Sequence, residues 1–301
     1  MATDATLLLV GFSDERHPEV IARASQLAAA LRLRIYVYFP VPDGRLSAVV
    51  PGTWAVAQEA RELLFKRYQD ELQATLETLG ARGHDVKGRV EWRRSPASGA
   101  LNMVRELSPR LVILAPKRHD RLTDFLLSDD DFELIRLCQP PVWLARRFPA
   151  EDGTILAAVD PTHDEDRAFA VDHAVLSESC SLGRSLGKRV SAIHAFSAPV
   201  RLSGVIEATA PAAADRRLER ASAYHFERLA ALAGLHDIRP EDLHVLEGEL
   251  ADVLEHVIEP LHVDVIVIGA LSRNRARRMF IGGTAEELLR LVTTDLLVVK
   301  Q

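Results

Sequence analysis

Short apolar runs alternate along this chain with longer stretches in which apolar residues return every three or four positions. The short runs, bounded by turn residues, read as strands over 7–12, 35–39, 86–92, 111–115 and 142–145. A second set reads as strands over 155–160, 190–195, 243–247, 263–269 and 296–299. Their near-continuous hydrophobicity suits parallel strands covered on both faces. The stretches between them, such as "PEVIARASQLAAALRL" and "AAADRRLERASAYHFERLAALAGL", read as amphipathic helices. The latter sets Leu218, Ala221, Phe226 and Leu229 near one face. Pro18 and Pro211 stand where helices are expected to begin. "PASGALNMVREL" and "LADVLEHVIEPL" read as helices that pack on the sheet and carry no chemistry. Strand–helix alternation with right-handed crossovers predicts an α/β fold of two doubly wound, Rossmann-like domains. Each is a five-stranded parallel sheet flanked by helices. Ligands of such sheets bind beyond the carboxyl ends of the strands, where the strand order reverses.

The chain repeats itself. "RLVILAPKRHDRLTDFLLSDDDFELIRLCQPPVWLAR", from Arg110, lies without a gap over "DVIVIGALSRNRARRMFIGGTAEELLRLVTTDLLVVK", from Asp264. "ELIRL" falls on "ELLRL" and "PVWLAR" on "DLLVVK". "TLLLVGF" at Thr6 matches "TILAAVD" at Thr154 more loosely. The expected domains are 1–147 and 154–301, joined through "RRFPAEDGT", which has linker composition.

Composition narrows the function. A net charge of -6 and a pI near 6.0 argue against a generic nucleic-acid binder. Cys138 and Cys180, one in each half, are too few for a disulfide framework and read as small core residues in a reducing compartment. The N-terminus lacks the basic region of a signal peptide, and no segment approaches the ~20 apolar residues of a membrane span. A cytoplasmic protein without membrane partners is expected.

The candidate chemistry lies in "GALSRNRARRMFIGGTAEELL", Gly269 to Leu289. Gly269 closes a strand, and Gly282, Gly283 and Thr284 open a helix. A helix N-terminus offers unpaired N–H groups and the positive end of a dipole, and glycines let backbone approach an anion. Arg273, Arg275, Arg277 and Arg278 could meet distal phosphates. A plainer account stands beside this one. Thr284 could be an N-cap with Glu287 completing a capping box, and the arginines a solvated surface. The stretch is neither a Walker A loop nor a GxGxxG fingerprint.

Other clusters carry less. His163, Asp164, Glu165, Asp166 and His173 are metal-ligand types, but the segment reads as a solvated loop entering a helix, and no metal site is expected. His256 and His262 read as surface residues. His194, at the end of a strand, points either into the core or towards the crevice. No GxSxG elbow appears.

Gly269, Ser272, Gly282 and Thr284 together resemble the GxxGx9G-(S/T) signature of the universal stress protein family. "VDPTHDED" and "GGTAEELLRLVTTDLLVVK" fit it too, and the duplication resembles the tandem-domain members. That resemblance implies ATP or a related adenine nucleotide as ligand. It places Gly269, Ser272, Arg273, Gly282, Gly283 and Thr284 around phosphate, and Asp160 and Ala195 against the nucleoside. Ser272 departs from the pattern by adding a Cβ where the family has its second glycine. In the first half Ala115, Arg118 and Ser128-Asp129-Asp130 stand at the corresponding positions, and Phe12 stands for Asp160. That copy reads as having lost the nucleotide site, since carboxylates would repel a polyphosphate. The resemblance also implies pairing, as a homodimer or as an intramolecular pseudo-dimer, with strands 142–145 and 296–299 as candidate edges.

Two functions follow. One is a stress-response protein whose second domain binds nucleotide and couples occupancy to a protein interaction, with at most slow ATP hydrolysis and no catalytic residues. The other is a scaffold whose crevice takes another ligand, amphipathic in character, or none.

Overall fold

The computed structural model describes residues 5–11, 17–42, 54–115, 117–118, 125–162, 166–197, 211–270 and 283–300. The chain divides into two compact units, Met1–Pro149 and Ala150–Gln301. The first contains β1 (Thr6–Gly11), α1 (Pro18–Leu31), β2 (Arg34–Pro42), α2 (Trp54–Ala81), β3 (Val86–Arg93), α3 (Pro96–Leu107) and β4 (Leu111–Ala115). An antiparallel pair of β5 (Lys117–Arg118) and β6 (Phe125–Leu126) follows, then α4 (Asp129–Leu137) and β7 (Val142–Leu144). Its parallel sheet runs β7-β4-β1-β2-β3.

The second unit contains β8 (Thr154–Ala158), α5 (Asp166–Leu186), β9 (Val190–Phe196), α6 (Pro211–Gly234), β10 (Leu243–Glu247), α7 (Leu250–Val257), β11 (Val263–Gly269), α8 (Gly283–Leu291) and β12 (Asp295–Val299). Its parallel sheet runs β12-β11-β8-β9-β10. Both sheets reverse their strand order at the first strand, between β1 and β4 and between β8 and β11. The central strands are buried on both faces, and Leu7, Leu8, Ile155, Leu156, Val265 and Val267 are closed to solvent. This is what their unbroken apolar runs require.

Local signals set the helix starts. Pro18 and Pro211 begin α1 and α6. Ser95 caps α3 by accepting from the Ser98 N–H at 3.1 Å, with Pro96 in the first turn. Strand 155–160 stops sooner than its hydropathy predicts, at Ala158. The Thr162 N–H and hydroxyl both donate to Asp160 Oδ1, at 3.2 and 2.6 Å, and this turn draws the backbone off the sheet. The antiparallel pair of 117–118 with 125–126 has no signal in the periodicity.

The expected apolar face of α6 is only partly covered. Leu229 is fully buried, while Leu218 and Phe226 are 40% and 38% exposed. The two side chains line an open groove beside the edge strand β10, and among the described residues no further strand lies beyond it. One polar anchor holds the start of this unit. Lys188 Nζ donates to Asp264 Oδ2 at 2.5 Å and to the Ala150 carbonyl at 2.6 Å, and Asp264 Oδ1 accepts from the Ala150 N–H. Both charged side chains are 2% exposed, so each depends on the other for its solvation.

Candidate functional site

The reversal of strand order in the second unit opens a crevice of about 410 Å³. Its walls come from the carboxyl ends of three strands: Val159 and Asp160 after β8, His194 and Ala195 on β9, and Ile268 and Gly269 on β11. The turn after β10 adds Gly248 and Glu249, α5 adds Val171 and Asp172, and α8 adds its first residue, Gly283. Asp160, Ala195, Gly269 and Gly283 therefore face one space. Thr284 opens α8 beside it. Ser272, Arg273 and Gly282 lie outside the described residues, as do Arg275, Arg277, Arg278, His163, Asp164, Glu165 and Phe12.

The geometry gives each of these positions a physical reason. Asp160 is tied into its turn by Thr162, and its side chain stays 42% exposed to the crevice. Arg228 Nε donates to the Pro161 carbonyl at 3.2 Å and holds α6 against the same turn. Gly269 answers to packing: a Cβ there would come within 3.0 Å of Val171 Cγ1. At Gly283 a Cβ would meet none of the described residues within 4 Å, and the start of α8 offers its backbone to the crevice. Gly248 has φ +136°, a conformation that demands glycine, and its N–H donates to the Phe196 carbonyl at 3.0 Å.

Asp172 was not singled out by its sequence, where it is one charge in an amphipathic helix. It is 8% exposed. Its Oδ1 accepts from the Asp160 N–H at 3.3 Å, and its Oδ2 finds no hydrogen-bond partner among the described residues. Burial pushes its carboxyl up to about 7; the Asp160 N–H pulls the other way, and the Asp160 carboxylate adds to the rise.

His194 is both buried and crevice-lining, at 3% side-chain exposure. Its Nδ1 lies 3.2 Å from the Val159 carbonyl and its Nε2 2.9 Å from His225 Nδ1 on α6. His173, expected in a solvated run, instead meets His236, Nδ1 to Nε2 at 2.8 Å. His256 and His262 are exposed. Among the described residues no group of three or more His, Cys, Asp or Glu side chains is placed to hold a metal ion, and no helix is long and apolar enough to cross a membrane.

The corresponding part of the first unit is built differently. Phe39 covers Gly11, where a Cβ would clash with its ring, and meets Tyr68 edge-on. Asp130 Oδ1 accepts from the Ala97 N–H at the start of α3, and Ser128 and Asp131 form the capping box of α4. The carboxylates expected to oppose a phosphate are thus partly engaged as caps of this unit's own helices. Tyr38, pushed up to about 12 chiefly by burial, donates to Glu91, which also receives Arg93.

Comparison with known proteins follows the same two-part division. The model of the universal stress protein family matches residues 4–146 and again 153–300. Universal stress protein E of Escherichia coli K12 is 25% identical over 221 residues, covering 72% of this chain and 69% of that protein. A Haemophilus influenzae homolog of universal stress protein E is 20% identical over 248 residues, covering 80% and 78%. Among solved structures, a functionally unknown protein from Pseudomonas aeruginosa PAO1 superposes with a TM-score of 0.70 at 20% identity, covering 99% of this chain and 93% of its own. A universal stress protein from Archaeoglobus fulgidus superposes with a TM-score of 0.62 at 13% identity, covering 99% of both chains. At these identities the superpositions speak for the fold.

Proposed function

Because the chain belongs to the universal stress protein family, as two tandem copies of its domain, we propose that its second copy binds ATP or a related adenine nucleotide. Occupancy then biases an interaction with a protein partner. The observation that carries the reading is the convergence of Asp160, Ala195, Gly269 and Gly283 on one crevice at the reversal of strand order. In this reading the Asp160 carboxylate accepts from an N–H or O–H of the nucleoside, and Ala195 offers a small side chain beside it. The phosphates lie against the N-terminus of α8, where N–H groups and the helix dipole favour an anion. Thr284, Gly282, Ser272 and Arg273 complete the phosphate end. The reading assigns no catalytic residue and allows at most slow hydrolysis. It applies to the second copy alone, since in the first Phe39 fills the place of a crevice residue and carboxylates stand at the start of α4.

Calorimetric titration of the full chain with ATP tests the reading. Gly283→Asp is the informative variant: its Cβ meets none of the described residues within 4 Å, and a carboxylate in a first helical turn suits the fold. It nevertheless sets a negative charge where the phosphates belong. At least about tenfold weaker ATP binding is expected, from the loss of one favourable and the gain of one unfavourable charge interaction. Unchanged affinity removes the assignment. Mass spectrometry of ligand released on denaturation adds a second readout. An amphipathic molecule in place of nucleotide, with no heat from ATP, replaces this reading by that of a scaffold protein.

A further inference from the structure

The duplicated chain supplies its own control for the crevice. Leu7 and Ile155 hold the same place in the two units, opposite Leu111 on β4 and Val265 on β11. Leu7 also pairs with Ile35 on β2, and Ile155 with Val190 on β9. Counting four residues onwards, Phe39 corresponds to His194 and Gly11 to Val159. The helix that follows each of these strands supplies the contact. Phe39 meets Tyr68 of α2 with ring centroids 6.3 Å apart, and His194 meets His225 of α6 with centroids 5.0 Å apart.

The exchange is consistent in its sizes. Gly11 leaves the room that the Phe39 ring fills. Beside the smaller imidazole the second copy carries Val159, whose carbonyl lies 3.2 Å from His194 Nδ1. A carbonyl can only accept, so Nδ1 carries the proton. Nε2 of a neutral His194 is then the acceptor, and the proton on the 2.9 Å bridge belongs to His225. Where the first copy fills this place with rings that bury readily, the second copy buries an imidazole at 3% exposure. Its polarity is not needed to hold the fold, because the same fold stands without it a hundred and more residues earlier in the chain.

We infer that His194 and His225 form a protonatable wall of the crevice, and that ligand binding against Asp160 draws a proton onto this pair. The inference rests on the crevice being the nucleotide site proposed above. His194 Nδ1 lies 3.7 Å from Asp160 Oδ1. Asp160 is 42% exposed, so water screens the two groups. A bound nucleoside displaces that water, and the attraction of a carboxylate for an imidazolium at this distance rises severalfold. The added proton reverses the bridge. The new proton binds His225 Nε2 as the bridging proton passes from His225 Nδ1 to His194 Nε2, so that His194 donates from both nitrogens, Nδ1–H to Val159 and Nε2–H to His225 Nδ1, and His225 is left neutral with its proton on Nε2. His225 is half-buried on α6, stacked on Phe196 with Tyr224 edge-on, so the proton enters from the surface side. His194 is a positioning residue here, since it acts through Asp160.

Among the described residues, the charged groups at this end of the crevice are Asp172 of α5 beneath the Asp160 turn, Glu249 at the start of α7, and Arg228 of α6, whose guanidinium opposes the added charge. Asp172 competes for the same proton, so the experiment must separate the two. AMP is titrated into the full chain by calorimetry near pH 7 in buffers of different ionisation enthalpy. For the wild type the heat is expected to vary with the buffer, up to about one proton taken up per site. The variant Val159→Gly/His194→Phe/His225→Tyr copies the first unit's own packing. It should bind AMP more weakly, with a heat that no longer follows the buffer. His225→Phe, a change at the half-buried surface of α6, should reduce the buffer dependence by itself and serves if the triple variant does not fold. Asp172→Asn should retain the dependence. A wild-type heat that ignores the buffer overturns the inference and leaves the nucleotide reading standing. So does a dependence that survives in the triple variant or vanishes in Asp172→Asn. No binding of AMP or ATP by the wild type removes the nucleotide reading and the linkage with it.

Discussion

Gly269→Ala asks whether the strand-closing glycine is there for a ligand or for its own helix. A Cβ at this position would lie within 3.0 Å of Val171 Cγ1 and 3.5 Å from Val175 Cγ2. Carbon atoms in a well-packed core sit about 3.5–4.0 Å apart, so Val171 must retreat. It has little room to do so: it is 4% exposed, and Val175 beside it is fully buried. Valine is also stiff at χ1, which rules out a cheap rotation. Overpacking of this kind costs about 1–3 kcal/mol. The strand itself accepts a side chain, since Ala115 stands at the corresponding place in the first copy, so the cost belongs to the helix neighbour. Val171→Ala should therefore relieve it. Alone, that change costs about 2 kcal/mol in lost burial; combined with Gly269→Ala, the two should cost less than their sum by about 1–2 kcal/mol. All three tryptophans, Trp54, Trp92 and Trp143, lie in the first unit, so their fluorescence is not the probe for this change. Urea unfolding followed by circular dichroism, with amide exchange over residues 150–301, reads the second unit. A Gly269→Ala variant as stable as the wild type, or strictly additive costs, would refute the packing account and return this glycine to the ligand.

Two further predictions concern buried charge. The Asp172 carboxyl is raised from 3.8 to about 7, so the folded chain keeps a proton that the unfolded chain has lost. Its contribution to stability is complete below about pH 4, is lost as the pH climbs to about 7, and is flat above. Asp172→Asn should remove that slope, worth a few kcal/mol, so the variant gains on the wild type between pH 4 and 7. Equal slopes in urea titrations of both proteins would show that this carboxyl titrates normally. Lys188→Met leaves Asp264 buried without its cation and should cost about 3–5 kcal/mol, whereas Lys188→Met/Asp264→Leu should recover much of that loss in the same assay.

The α/β class, the strands of the parallel sheets and the duplication were legible along the chain, because burial on both faces of a parallel sheet demands unbroken apolar runs. The boundaries that missed have local causes. The 155–160 strand ends early because Thr162 captures Asp160. The exposed Leu218 and Phe226 look like core residues by period, but they lie beside the edge strand β10, where no further described strand covers them. Within the crevice, Asp160 and Gly269 carried a signal because each stands at the end of an apolar run. Asp172, Gly248 and Glu249 carried none, since a helix-borne aspartate and a turn glycine look alike whether or not they face a ligand.

Sequence alone thus determined which segments are strands, that the pattern occurs twice, and that only the later copy keeps glycines where a helix could meet an anion. Tertiary structure decided that four residues far apart in the chain share one crevice, that Asp172 lies beneath it, and that imidazoles replace phenyl and phenol rings at one matched position. The reason is physical. Periodicity reports how a residue is buried relative to its own element, whereas a site is made by the distances between elements, and those depend on strand order and on which helix packs beside which strand.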